Sequence, residues 1–345
     1  MAAYISFQPT DFYTNTLYSG NATTDTAINL GLEPALTWVK ATNDTDGWWQ
    51  GDVISGPTKD LRSSNTSQQY TSNYGTAYTS TGFTLSDGTQ NQASTDYITY
   101  SWKGGTTTGL SGGDITPSAY SFNTTSGFGL YQYSGNNTST QTIPHGLGVA
   151  PEFMIFKRTD STGSWVVYHK SVGDEKCMFL ESNAVPDDSS TYFQDTTPTS
   201  TYITIGNGGD LNSSGSTNVC YAFAPKKGFS AFGSYTGTGD ASISPFIYTG
   251  FRPAYTMIKQ SSGSGTYGWY ILDSKRAGYN PDNEDLLANT TGVEDTTNNF
   301  WDLCSNGFKI KTAGGNVNTS GSVYTYVAFA EFPIVSSNDV PVVAR

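Results

Sequence analysis

The sequence has few of the residues that catalysis and metal binding most often use. Among 345 residues there are two histidines, His145 and His169, and three cysteines, Cys177, Cys220 and Cys304. The cysteine and histidine spacings match no zinc-ligand pattern, and the odd number of cysteines favours reduced thiols made in a cytoplasm over a disulfide framework. No pattern marks either histidine as a catalytic base, and His145, beside Pro144, is interpreted as a turn residue. We therefore expect no enzymatic activity, no metal site and no cofactor.

Basic residues and long apolar runs are also scarce. The chain has 17 basic against 29 acidic residues and a net charge of −12, whereas non-specific binding to nucleic acid or to an anionic membrane needs a basic face. No apolar run approaches the roughly 18 residues of a membrane span. The opening residues lack the basic and apolar regions of a signal peptide. These absences predict neither a nucleic-acid partner nor membrane insertion.

A convincing helical pattern is missing as well, because no run of ten or more residues combines 3.6-residue periodicity with helix caps. What the chain has instead is 14% aromatic residues and 38 glycines. Aromatic and β-branched residues suit pleated strands, and Gly, Asn and Ser suit the turns between them. The sequence predicts an all-β protein.

One stretch occurs three times: a Gly-x-x-Pro turn, a strand that ends in lysine, and a tryptophan at the start of the next strand. The Pro-to-Lys spacing is constant, since 40−34, 157−151 and 259−253 all equal 6. Repeats of about 100 residues are too long for one propeller blade and fit a two-layer sandwich. We predict three tandem β-sandwich repeats, with these boundaries: lead-in 1–11, repeat 12–104, Gly/Thr linker 105–117, repeat 118–227, repeat 228–333 and C-terminal tail 334–345.

Aligned aromatic residues are expected in the core, and unaligned ones are candidates for surface contacts. Trp49, Trp165 and Trp269 align and are predicted to be buried. Neighbouring residues of a strand point to opposite faces, so Trp48 is predicted to face outward. Aromatic side chains without a packing role can contact glycans or other proteins. The candidate contact residues are Trp48, Tyr70, Tyr74, Tyr78 and Trp301.

The charged residues of the repeat are interpreted as solvated surface residues. Lys40, Lys157 and Lys259 end equivalent strands, and we expect their stems on the sheet and their ammonium groups in water. The acidic turn from Asp282 to Asp285 lacks the ligand spacing of a calcium loop and is interpreted as solvated, although metal binding there stays open.

The stretch Ile143-Pro144-His145-Gly146-Leu147-Gly148-Val149-Ala150-Pro151, followed by Trp165-Val166-Val167-Tyr168-His169-Lys170, resembles a repeat of structural proteins from tailed, especially marine, bacteriophages. Residues 246–253, with Trp269 and Ser305-Asn306-Gly307-Phe308-Lys309 downstream, resemble it too. The resemblance covers residues 118–333 strongly and the first repeat more weakly. It implies a virion protein assembled in the bacterial cytoplasm, with no catalytic residues to carry over.

Together these observations predict a non-enzymatic virion structural protein, displayed on the particle as a tail appendage or tail-fibre component. Its expected partners are other virion proteins and host surface glycans. A capsid decoration (cement or head-fibre) protein is the alternative, and a tail-associated glycan hydrolase is a third hypothesis. Whether the chain forms a homotrimer stays open.

Overall fold

A computed structural model of the chain describes residues 5–331 except 73, 189, 264, 277, 278 and 282, and also the backbone of residues 334, 335, 341 and 342. The regular structure is almost entirely antiparallel β-sheet, so the all-β prediction is confirmed. The described helices are short: two 3-10 turns, Pro9–Asp11 and Thr89–Asn91, and α1 (Ser190–Phe193), α2 (Gly209–Asn212) and α3 (Gly315–Asn318). None of the helices in these ranges is long and apolar enough to cross a bilayer.

Unit 1, residues 13–102, contains a large sheet of strand order β1-β9-β3-β4 and a small sheet of order β2-β8-β7, with β5 and β6 paired beside them. Its strands are β1 (Tyr13–Ser19), β2 (Thr26–Asn29), β3 (Leu36–Ala41), β4 (Trp49–Asp52), β5 (Lys59–Asp60), β6 (Tyr70–Thr71), β7 (Gly75–Thr79), β8 (Gly82–Leu85) and β9 (Asp96–Trp102).

Unit 2, residues 119–223, has the large sheet β10-β11-β18-β13-β14-β15-β16 and the small sheet β12-β17. Its strands are β10 (Ala119–Asn123), β11 (Phe128–Ser134), β12 (Gln141–Pro144), β13 (Phe153–Arg158), β14 (Trp165–His169), β15 (Lys176–Phe179), β16 (Asp187–Asp188), β17 (Tyr202–Ile205) and β18 (Thr217–Phe223).

Unit 3, residues 230–330, has the large sheet β19-β26-β21-β22-β23 and the small sheet β20-β25-β24. Its strands are β19 (Ser230–Thr236), β20 (Phe246–Tyr248), β21 (Pro253–Gln260), β22 (Tyr270–Asp273), β23 (Leu286–Leu287), β24 (Trp301–Cys304), β25 (Gly307–Ile310) and β26 (Val323–Ala330). The pair β27 (Ile334–Val335) and β28 (Pro341–Val342) follows; the rest of the tail lies outside the described residues.

Each large sheet contains four strands in the same order: β1-β9-β3-β4, β11-β18-β13-β14 and β19-β26-β21-β22. The Gly-x-x-Pro turn before the third strand of each block needs a left-handed backbone, because Gly31, Gly148 and Gly250 have φ values of +74°, +73° and +84°. Glycine adopts this conformation without steric strain. The repeated glycine is thus a requirement of the repeated turn.

The central strands of each large sheet are buried on both faces. The outer face packs on the small sheet of its own unit, and the inner face packs against the other two units in one shared core. Trp102, Phe223 and Phe329, one from each unit, form a triangle with ring centroids 5.7, 5.4 and 5.5 Å apart. Burial on both faces explains why every residue of β3 and β21 is buried instead of alternating. The sequence predicted three tandem sandwiches but not this shared core.

A closed ring of hydrogen bonds joins the units through one tryptophan of each. Trp48 Nε1 of unit 1 donates to Leu287 O of unit 3 at 2.9 Å. Trp165 Nε1 of unit 2 donates to carbonyls of unit 1 at 3.0 and 3.1 Å, and Trp269 Nε1 of unit 3 donates to Phe179 O of unit 2 at 3.0 Å. We call these three residues the clamp tryptophans. The tryptophan of unit 1 thus contacts unit 3, that of unit 2 contacts unit 1 and that of unit 3 contacts unit 2. The arrangement therefore has approximate threefold symmetry.

The clamp tryptophan of unit 1 is Trp48 and not Trp49, which corrects the sequence alignment by one residue. Trp48 is 0% exposed in the shared core, so the prediction that it faces outward is wrong. Trp49 is buried on the opposite face, in the core of unit 1 alone, with Nε1 donating to Lys59 O at 3.2 Å. Both faces of the strand are covered, so alternation does not bring either ring to water.

The lysines of the repeat are buried as well, so the prediction that their ammonium groups lie in water is wrong. Lys157 Nζ donates to Gly163 O at 2.7 Å and to Thr66 O of unit 1 at 3.1 Å, while Lys259 Nζ donates to Asn183 O of unit 2 at 3.3 Å. Burial lowers the pKa of Lys40, Lys157 and Lys259 to about 8 in each case. Lys157 and Lys259 thus support junctions between units, whereas Lys40 Nζ donates to carbonyls of unit 1 itself.

Candidate functional site

The five candidate contact residues separate into buried and accessible ones. Trp48 and Trp301 are both 0% exposed; Trp301 Nε1 donates to Thr256 Oγ1 at 2.9 Å inside the core of unit 3. Neither can contact a partner at the surface, so the structure removes both from the set. Tyr78 is half-buried and packs on the core of unit 1.

The remaining two, Tyr70 and Tyr74, lie together around a cation that the sequence analysis did not single out. The guanidinium carbon of Arg62 is 5.8 Å from the ring centroid of Tyr70 and 5.8 Å from that of Tyr74. Arg62 also donates to the Tyr74 hydroxyl at 3.0 Å. A cation this close to two aromatic faces is attracted by both rings. We call Tyr70, Arg62 and Tyr74 the tyrosine–arginine cluster.

A buried carboxylate, that of Asp60, forms a salt bridge with the arginine of this cluster. Asp60 is 0% exposed, and its Oδ2 accepts a hydrogen bond from Arg62 Nε at 3.0 Å. Asp60 lies opposite Tyr70 in the β5–β6 pair, which brings the carboxylate beneath the tyrosine. Burial raises the pKa of Asp60 to about 6, although Arg62 acts in the opposite direction. The arginine side chain is therefore held between a carboxylate and two rings.

Tyr70 supplies the accessible surface of the cluster, with 42% of its area exposed. The segment before it packs on unit 2, since Gln69 N donates to Thr159 O at 3.0 Å and Gly163 N donates to Thr66 O at 2.9 Å. An exposed aromatic face over a fixed guanidinium can stack on a sugar ring or an apolar side chain. The arrangement suits binding; it presents no nucleophile with an adjacent base.

The two histidines bond to backbone groups on both ring nitrogens. His145 Nδ1 accepts from Leu147 N at 3.2 Å, and its Nε2 lies 3.1 Å from Thr199 O, as a turn-stabilising residue would. Burial lowers the pKa of His145. His169 has the same pattern, with Nδ1 accepting from Ser171 N and Nε2 3.1 Å from Tyr326 O. In both rings the carbonyl contact fits an Nε2–H donor.

The acidic turn is only partly described, because Asp282 lies outside the described residues. Glu284 is half-buried and Asp285 is buried, so this part of the turn is not simply solvated as the sequence analysis expected. Within the described ranges, no group of three or more His, Cys, Asp and Glu side chains could hold a metal ion.

Replacing Tyr70 by Ala should change the free energy of unfolding by less than about 1 kcal/mol. The ring is exposed, and Arg62 keeps both Asp60 and Tyr74 as partners after its loss. Thermal melts of Tyr70→Ala would measure the change, with Tyr248→Ala, another exposed tyrosine, as the control. A loss comparable to that of a buried tryptophan would mean that Tyr70 is a packing residue.

The fold defines an all-β protein of sandwich units packed around a shared core, and unit 1 carries the tyrosine–arginine cluster at its surface. The chain belongs to the family described as a domain of unknown function (DUF7483), whose model matches residues 8–333. No curated protein and no solved structure matches the chain.

Proposed function

We propose that the chain is a non-enzymatic structural protein of a bacteriophage particle, displayed on the surface as a tail appendage or fibre component. The observation that carries the proposal is the closed ring of clamp tryptophans, which ties all three units into one body. A component of a particle must keep its shape and pass load between its neighbours. The resemblance of residues 118–333 to phage structural repeats supports the same place of action.

Contact with a partner would be made through the tyrosine–arginine cluster. Tyr70 offers an exposed ring, and Arg62 beneath it keeps the ring in place. The chain as a whole carries a net charge of −12, which disfavours strongly anionic partners. Host surface glycans of low charge and other virion proteins fit this surface best.

A capsid decoration protein is the second candidate, and the approximate threefold arrangement of the units favours it. An icosahedral shell presents threefold axes on its surface, and a body with three similar faces can sit on such an axis with equivalent contacts. The chain would then reinforce the shell instead of reaching toward the host.

Labelling of intact phage particles with antibodies against the purified chain, viewed by negative-stain microscopy, tests the proposal. Label on tails is the expected result, and label on heads would move the assignment to capsid decoration. Particles that carry no label would contradict a virion protein altogether. Release of reducing sugars from host envelopes by the purified chain would instead favour the glycan hydrolase hypothesis.

A further inference from the structure

Asp60 of unit 1 and Asp285 of unit 3 occupy the same position in their sheets. Asp60 directly precedes Leu61, and Asp285 directly precedes Leu286. Each leucine pairs across the sheet with a residue of the neighbouring strand, and that residue lies two positions after the clamp tryptophan of the same unit. The two aspartates are 0% and 4% exposed, so each unit buries a carboxylate at this position.

Unit 1 pairs its carboxylate with a cation of the same unit, whereas among the described residues no cation forms a salt bridge with Asp285; the nearby Arg276 pairs with Asp273 and Glu294 instead. In unit 1 the residue two positions later is Arg62, whose guanidinium pairs with Asp60 at 3.0 Å. In unit 3 the residue two positions after Asp285 is Leu287. The cation is thus replaced by a shorter apolar side chain.

A pocket of about 270 Å³ opens in front of Asp285. Asp285 Oδ1 accepts a hydrogen bond from Asn298 Nδ2 at 3.2 Å, and no described residue donates to its other oxygen, Oδ2. Among the described residues that line the pocket there is no lysine and no arginine. The lining includes Tyr270, Asp285, Leu287, Gly292, Val293 and Asp295.

We propose that this pocket binds a guanidinium group, presented by an arginine side chain of a partner protein. The arginine would take the place that Arg62 has in unit 1. Asp285 and Asp295 supply negative charge, and a carboxylate bonds a planar guanidinium through two parallel N–H donors. Tyr270 adds an aromatic ring to the wall of the pocket, as Tyr70 and Tyr74 do around Arg62.

The state of Asp285 agrees with a missing cation. Burial, with a smaller contribution from the charge of Asp295, raises the pKa of Asp285 to about 7, although the hydrogen bond from Asn298 and the charge of Arg276 act in the opposite direction. A bound guanidinium would favour the charged carboxylate and lower this pKa. Calcium fits less well, because it takes 6–8 oxygen ligands and the pocket lining offers two carboxylates. The inference does not depend on the virion proposal.

The probe that tests it is Nα-acetyl-arginine amide, whose only charge is the guanidinium. Titrated into the full chain at pH 8 and followed by ¹H–¹⁵N NMR, it should shift the amide signals of Asp285, Gly292 and Val293 in a saturable way. Asp285→Asn keeps the shape and removes the charge, so its dissociation constant should rise at least about tenfold. Asp160→Asn, an exposed acid elsewhere, should bind as the natural chain does.

Nα-acetyl-lysine amide is the matched probe, with an ammonium in place of the guanidinium, and it should bind several-fold more weakly. The inference is overturned by shifts that do not saturate, by equal affinity in Asp285→Asn, or by tighter binding of the lysine probe. A second variant, Leu287→Arg, should place a guanidinium in the pocket from within and abolish binding of the arginine probe. A folded Leu287→Arg chain that still binds the probe at the same signals would also overturn it. If that variant does not fold, the Asp285→Asn comparison still decides the matter.

Discussion

Replacing Trp48 by Ala should lower the free energy of unfolding by about 3–5 kcal/mol, as much as the same change at Trp165 or Trp269. All three indoles are almost completely buried in the shared core. Burying a tryptophan removes roughly 150–250 Å² from water, which at about 25 cal/mol per Å² stabilises by about 4–6 kcal/mol as an upper figure. Truncation also leaves the Leu287 carbonyl without its indole donor in the case of Trp48.

Thermal and denaturant unfolding of the three single variants would measure these losses. Trp48→Phe is the control, since it keeps most of the ring and loses only the N–H donor and part of the area. Because the three residues lie in one core, we expect the variants to shift a single transition and not one of three separate ones. A loss of under about 1 kcal/mol for Trp48→Ala beside a large loss for Trp165→Ala would contradict the closed ring.

The sequence supported the all-β class and the repeated turn because both depend on local chemistry. A Gly-x-x-Pro turn before an apolar strand needs a left-handed glycine, and that requirement is visible in one stretch of residues. The one-residue error between Trp48 and Trp49 has a different origin. Two adjacent tryptophans of a strand point to opposite faces of the sheet, so the sequence could tell them apart only by which face is buried. The sequence analysis assumed that one face was covered, whereas the structure covers both.

The same assumption misplaced the lysines. A lysine at a strand end normally keeps its ammonium group in water, but Lys157 and Lys259 end where another unit of the chain packs against them. Their carbonyl partners are 91 and 76 residues distant in sequence. No local pattern could reveal contacts of that range.

The tyrosine–arginine cluster, which is the proposed contact site, was predicted from the sequence only in part. The tyrosine-rich connection between β5 and β7 led to Tyr70 and Tyr74, whereas Arg62 and Asp60 were missed. The usable signal was the pair of aspartates directly before Leu61 and Leu286.

The second large effect that we expect is a dependence of the folded chain's stability on pH, caused by His169. Its ring lies at the junction of units 2 and 3, with Nε2 3.1 Å from Tyr326 O. In the strand register it occupies the position of Asp52 in unit 1 and Asp273 in unit 3. Those aspartates accept hydrogen bonds from Tyr221 and Tyr100 at 3.0 and 2.8 Å. Burial lowers the pKa of His169 from 6.5 to about 4, so the folded chain keeps the ring neutral.

His169 should therefore make the folded chain less stable as the pH falls. The unfolded chain binds the imidazole proton with a pKa near 6.5, so between pH 6.5 and about 4 it carries more protons than the folded chain. The stabilising contribution is complete above pH 6.5 and is lost as the pH falls toward 4, where the loss approaches about 3 kcal/mol. Replacement by Gln keeps an N–H donor but removes the titration.

Denaturant unfolding of the natural chain and of His169→Gln at pH 7, 5.5 and 4.5 would show this contribution as a difference between the two proteins. At pH 7 the natural chain should be at least as stable as the variant, and the difference should move in favour of His169→Gln by about 2–3 kcal/mol at pH 4.5. Cys220→Ala is the control, because burial raises the pKa of that thiol and leaves it uncharged throughout this range. The contrary result would be a difference in free energy of unfolding between His169→Gln and the natural chain that is as independent of pH as the difference for Cys220→Ala. The imidazole would then be protonated with its ordinary pKa, and the junction of units 2 and 3 would have to accommodate the charge.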